Sequence, residues 1–185
     1  MPKKLSTMTL EELWQLFPIT LVEHQVCWKD WFAQERLLLQ SLLPQHALIS
    51  HIGSTAIDGI WAKPIVDILV ELPEATDFKA AETILINQGY ICMQSGNSRS
   101  SFNKGYTESG YAEQVFHIHV RYLGDNDEVY FRDYLLQHKD VAKQYEGLKL
   151  RLWKQYEHDR DAYTNAKSDF IKAITEKAKN EKSNL

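Results

Sequence analysis

The sequence predicts an α+β domain: one small mixed β-sheet, flanking helices and a helical C-terminal third. Three observations carry this reading. Ile65-Val66-Asp67-Ile68-Leu69-Val70 is an apolar, β-branched run broken by one acid, the pattern of a strand covered on both faces. Phe116, Ile118 and Val120 alternate with His117, His119 and Arg121, the period of a strand with one polar face. From Glu128 to Lys182 the apolar spacing is helical throughout. Helices first, then mixed strands and helices, then helices alone is an α+β order.

The elements follow in turn. Thr9 with Glu12 three residues later forms a capping box that opens a helix, and Pro18 ends it. Glu23 to Leu43 has helical spacing and stops at Pro44. Ala47 to Ile52 is a short strand, and Gly53-Ser54-Thr55 turns the chain. Pro64 to Leu72 is the clearest strand; Asp77 to Gln88 is a helix closing at Gly89; Tyr90 to Met93 is a strand. The polar stretch Ser95 to Gly110 reads as a loop or loop-rich hairpin, and Gln114 to Tyr122 as the alternating strand. Gly124-Asp125-Asn126-Asp127 supplies a turn and a helix cap. Three helices finish the chain, built on Tyr130 to Leu135, Val141 to Tyr156 and Tyr163 to Ile174. Residues 1–185 therefore read as a single domain with an ordered core over 9–177 and a fraying polar end.

Composition narrows the function classes. A chain of 185 residues buries enough surface to fold without a disulfide or structural metal. A net charge of -4 argues against nonspecific nucleic-acid binding, which needs a basic excess. Cys27 and Cys92 are the only cysteines and read as small buried hydrophobes, consistent with a reducing, cytoplasmic setting. Lys3 and Lys4 are not followed by an apolar signal segment, and no run approaches the ~20 apolar residues of a membrane helix, so no membrane partner is expected.

The informative stretch is His51-Ile-Gly-Ser-Thr55, followed after a short connection by Lys63-Pro-Ile-Val-Asp67. Gly53 permits close approach of a ligand to backbone, while Ser54 and Thr55 offer hydroxyls and N–H groups to an anion. A helix beginning near Thr55 would add a favourable dipole for phosphate. Asp67, alone among aliphatics, needs a partner: a cation, a salt bridge to Lys63, Arg99 or Arg121, or an open strand end. His117 and His119 share one strand face, and with Asp67 they make a set suited to a divalent metal. The alternative is a solvated sheet face with two incidental histidines.

A strand, a Gly-Ser turn and a second strand bearing an acid resembles the nucleotidyltransferase superfamily. There the turn holds triphosphate and paired strand acids hold metal. Here the positions flanking Asp67 are Ile65 and Leu69, so one expected acid is missing. More specifically, the chain resembles the GrpB family from Glu23 to Ile174. The likeness rests on His51 to Thr55, Ala62 to Val70, Phe116-His-Ile-His-Val120, Phe131-Arg-Asp-Tyr-Leu135 and Tyr163-Thr-Asn-Ala-Lys167. It implies a small mixed sheet of nucleotidyltransferase-like topology and a phosphorylated ligand, a nucleotide with Mg²⁺ or another divalent metal.

On that resemblance Gly53, Ser54, Thr55, Lys63, Arg99 and Lys104 are candidate phosphate contacts. Asp67, His117 and His119 are candidate metal ligands, with Asp67 and His119 catalytic if nucleotidyl transfer occurs. Transfer would need a second carboxylate from Glu71, Glu113 or Glu23. The alternative is a noncatalytic nucleotide- or partner-binding module, since relatives fused to dephospho-CoA kinase imply a protein partner; a metal-dependent hydrolase is a third reading. Arg132 is expected to pair with Asp133, Lys149 and Lys167 to be solvated, and the tryptophans to be core, with Trp61 beside the site.

Overall fold

A computed structural model describes residues 3–183. It is an α+β structure: a five-stranded sheet with seven α-helices among the described residues. Helices α1 (Leu10–Leu16) and α2 (Cys27–Leu42) precede β1 (Leu48–Ile52), β2 (Val66–Leu72) and α3 (Phe78–Asn87). Then come β3 (Ile91–Gln94), β4 (Arg99–Thr107) and β5 (Gly110–Tyr122). Helices α4 (Asp127–Gln137), α5 (Lys139–Gln155), α6 (Arg160–Asn165) and α7 (Ser168–Ser183) complete it.

Several local expectations hold because the chemistry is local. The capping box at α1 closes both ways: Thr9 Oγ1 accepts from the Glu12 N–H at 3.2 Å, and Glu12 Oε2 accepts from the Thr9 N–H at 2.7 Å. Asp77 caps α3 by accepting from the Ala80 N–H at 3.0 Å.

The strand order is β1-β2-β5-β4-β3, with only β2 and β5 parallel. In that central pair Asp67 lies opposite His117, and Leu69 opposite His119. Val66, Ile68, Val70 and Leu72 face the other way with Phe116, Ile118 and Val120, and all are buried against α2 and α3. Burying each such side chain contributes about 1.5–3 kcal/mol. This registry also fixes the polar face, because slipping β5 by one residue would turn both histidines into the core.

Four expectations change. The stretch expected as a loop or loop-rich hairpin resolves as a hairpin with little loop: the nine-residue strand β4 pairs antiparallel with β5, and that ladder supplies order that the Ser and Asn residues of β4 do not signal. Only a three-residue 3₁₀ turn, Ser54–Ala56, follows Gly53, so no helix dipole aims at the turn. The C-terminal third holds four helices, and α7 runs to Ser183 rather than fraying after Lys177. Cys27 and Cys92 are only partly buried. Among the described residues no helix is long and apolar enough to cross a membrane.

Candidate functional site

The site forms where β1 hands over to the Gly53 turn beside β2. Gly53 has φ 69° and ψ -173°, a region essentially confined to glycine. A side chain there would also collide with Asp67: an added Cβ would sit 3.0 Å from Asp67 Cβ and 3.1 Å from its Cγ, with Oδ2 nearer still. Turn and acid are thus packed directly on one another.

The other carboxylate oxygen of Asp67 faces β5. Oδ1 is 3.2 Å from His117 Nδ1 and 3.8 Å from His119 Nε2. His117 Nε2 is 2.7 Å from the Tyr106 hydroxyl, so both ring nitrogens of His117 are engaged within the protein. Burial would raise the Asp67 carboxyl, but the two imidazoles outweigh it and hold the carboxylate ionised, well below its usual range. Burial likewise disfavours a charged His117, so its neutral ring donates Nδ1–H to Asp67.

His51 points to the opposite face, with its ring stacked on Phe32 and Nε2 2.9 Å from Thr55 Oγ1. That contact ties the turn to β1. Burial lowers the His51 ring to about 4. Arg132 pairs with Asp133 as expected, and its Nη1 also donates to the His51 carbonyl at 2.8 Å.

The C-terminal helices bring charge that local sequence does not reveal. Lys149 on α5, expected to be solvated, is 2% exposed; its ammonium donates to the Trp61 carbonyl and lies 5.0 Å from the Tyr145 ring. Lys167, also expected to be solvated, is half-buried just before α7, 4.3 Å over the Tyr163 ring. Lys63 approaches the same ring at 5.8 Å. Burial, then Lys167, lowers Lys149 to about 7; burial, then Lys63, lowers Lys167 to about 7; and burial, with Arg160 nearby, lowers Lys63 to about 8. The Tyr145 hydroxyl lies against Ser54. The fully buried Tyr163 hydroxyl has no hydrogen-bond partner among the described residues. Glu146, the acid near Lys149, is engaged by Lys143 and the Trp61 N–H.

Of the expected site residues, Gly53, Ser54, Thr55, Lys63, Asp67, His117 and His119 gather around the turn. Arg99 and Lys104 do not. Arg99 pairs with Asp125 at 2.5 Å on the surface, and Lys104 projects to the opposite sheet face, where it meets Glu35 at 2.7 Å. The register dictates the second case: Lys104 lies opposite Phe116, a core residue. The missed contributors are Lys149, Tyr145 and Tyr163. Tyr163 and Lys167 were visible as one block, i and i+4 apart, but nothing in the sequence aims them at residues a hundred positions earlier.

None of the three proposed second acids reaches Asp67. Glu71 Oε1 accepts from the Gly124 N–H and the Asn126 amide, both at 3.0 Å. Glu113 and Glu23 are exposed, and Glu113 is four residues from His117 along β5, about 13 Å at strand rise. Among the described residues no group of three His, Cys, Asp or Glu side chains is arranged to hold a metal ion. The nitrogens and oxygens of Asp67, His117 and Tyr106 instead satisfy one another.

A Gly-Ser turn packed on a strand acid, beside a central parallel pair, defines a nucleotidyltransferase-fold domain. The Cid1 poly(U) polymerase, solved with MgGTP bound, shares this fold at a TM-score of 0.52 and 12% identity, over 79% of this chain and 46% of that one. Residues 18–177 match the GrpB protein family, and the chain belongs to it. Its relatives include the glutamate-rich protein GrpB of Alkalihalophilus pseudofirmus, 35% identical over 163 residues, 84% of this chain and 93% of that protein. A UPF0157 protein of Pseudomonas aeruginosa is 35% identical over 82% of this chain and 64% of its own length. The crystal structure of GrpB from Enterococcus faecalis superposes with a TM-score of 0.74 at 28% identity, over 86% of this chain and 96% of that one.

Proposed function

We propose that this chain binds a phosphorylated ligand, a nucleotide or similar polyphosphate, without the two-metal chemistry of catalytic nucleotidyltransferases. The observation that carries this is the charge balance: Lys63 and Lys167 lie over the Tyr163 ring with Lys149 close by, and among the described residues Asp67 is the acid that faces Lys63 and Lys167, while Glu146 by Lys149 is already engaged. Three partly neutralised amines beside an orphaned tyrosine hydroxyl favour an incoming anion, which would recharge them and offset their burial. The nucleotide class is supported by the fold shared with Cid1, whose structure holds MgGTP.

The residues present do not suit a Mg²⁺ pair, which needs two or three converging carboxylates. Nor do they favour a metal-dependent hydrolase, because His117 has both nitrogens committed. In this reading the lysines carry the charge that a metal carries elsewhere. Ser54 and Thr55 would contact phosphate, and Asp67 with His117 would hold the turn in place.

Calorimetry with ATP, GTP, UTP and inorganic tripolyphosphate, each in EDTA and in Mg²⁺, tests this. Saturable binding in EDTA is expected, weakened at least tenfold by the Lys149→Met/Lys167→Met pair. Incubation with α-labelled nucleotides should transfer no label. Binding that appears only with Mg²⁺, together with transfer, would establish a transferase instead.

A further inference from the structure

A cavity of about 1030 Å³ opens between α1 and the β3–β4–β5 end of the sheet. Its wall is mainly apolar, with Trp14, Phe17, Ile91, Met93 and Tyr106 among its lining residues. Ile91 and Met93 are 40% and 60% exposed, unusual for such side chains gathered on one wall. Arg160 lies within this lining. Its guanidinium donates to the Tyr106 hydroxyl at 2.9 Å, the Tyr111 hydroxyl at 2.5 Å and the Phe17 carbonyl at 3.4 Å.

No carboxylate lies within 4.0 Å of Arg160 among the described residues. The other charged lining groups, Lys4, Glu108 and Asp161, are exposed at the rim. A half-buried arginine held by two phenols and a carbonyl is a cation awaiting an anion, since burying a charge without an opposite partner is costly. These contacts take three of its five N–H donors and leave Nε–H and one Nη1–H for an anion such as a carboxylate.

We propose that this groove is a second ligand site, for an amphipathic carboxylate: Arg160 takes the carboxylate, and Trp14, Phe17, Ile91 and Met93 hold an aliphatic or aromatic body. The size fits, at the upper end of the roughly 300–1,000 Å³ typical of small-molecule pockets. The interior position of the cation decides against a peptide or a second copy of the chain, which would meet the rim charges first. It is a separate cavity from the lysine cluster, joined to it through Tyr106, whose hydroxyl accepts from Arg160 and lies 2.7 Å from His117 Nε2.

The test is titration of decanoate and 2-naphthoate, with decanol and 2-naphthamide as uncharged controls, followed by calorimetry and tryptophan fluorescence. Carboxylates should bind saturably and at least tenfold tighter than the controls. Arg160→Met should erase that preference. Should that variant fold poorly, Met93→Asp, at an exposed position, should weaken carboxylate binding at least tenfold while leaving tripolyphosphate binding unchanged. Equal affinity for charged and neutral probes, no saturation at millimolar concentration, or unaltered binding by Met93→Asp would overturn the proposal. So would a concentration-dependent dimer whose interface excludes the probes.

Discussion

Replacing Gly53 by alanine tests the contact on which the site geometry rests. Two costs add. An alanine held at φ 69° and ψ -173° occupies a region that costs of order 1–3 kcal/mol. Its Cβ would also press on the Asp67 carboxylate, with Cβ–Cβ at 3.0 Å, and that carboxylate is fixed by His117 at 3.2 Å and cannot simply rotate away. Overpacking of this kind costs roughly 1–3 kcal/mol. The sum is about 2–6 kcal/mol, and at about 2–4 °C per kcal/mol for a chain this size the melting temperature should fall by roughly 4–24 °C. Gly59→Ala is the internal control: it also has positive φ, at 78°, but a Cβ there meets nothing within 4 Å. It should show the backbone cost alone. Calorimetry and urea titration of both variants, with Asp67→Ala alone and combined with Gly53→Ala, separate the parts. The double variant should recover the steric share as a coupling energy. Equal losses at Gly53 and Gly59, or strict additivity with Asp67→Ala, would refute the packing argument.

Three further outcomes are expected. His51 keeps its ring neutral to about 4 when folded, against 6.5 unfolded, so the unfolded chain binds the extra proton and stability falls with decreasing pH across that window, by roughly 3 kcal/mol for this group; His51→Gln should flatten that limb in urea titrations from pH 7 to 4. Lys149 releases its proton near 7 when folded and near 10.5 unfolded, so stability should rise with pH between those values; Lys149→Met should be the more stable protein at pH 6, with an advantage that shrinks by pH 9 in thermal melts. Lys104→Met should destabilise the fold by about 1–3 kcal/mol, because it strips the 5%-exposed Glu35 of its ammonium, yet leave tripolyphosphate affinity unchanged in calorimetry. A loss of affinity there would put Lys104 back at the ligand site.

What was readable from the residues was whatever depends on near neighbours. The acid within an aliphatic strand, the His117/His119 alternation and the Thr9 capping box each carry their signal within a few residues. The β4 strand was legible only as one alternative, a loop-rich hairpin, because Arg99-Ser-Ser-Phe-Asn owes its order to pairing with β5 rather than to its own propensity. Lys149 was misread for a related reason. It sits on the Ala142–Tyr145–Leu152 stripe of α5, which the helical spacing does show, but only the folding of α5 against the β1–β2 connection buries its amine beneath the Trp61 carbonyl. Lys104 illustrates the converse. A polar loop was expected to carry it toward an anion, whereas strand pairing turned it to the opposite face.

The buried Leu69 limits what the site can acquire. It lies two residues along β2 from Asp67, on the same side of the strand, and it is 0% exposed. Writing an aspartate there would bury a second carboxylate on the Asp67 side of the strand at a penalty of several kcal/mol. A second acid could be seated at this position only if its surroundings were first opened to water or given a matching cation.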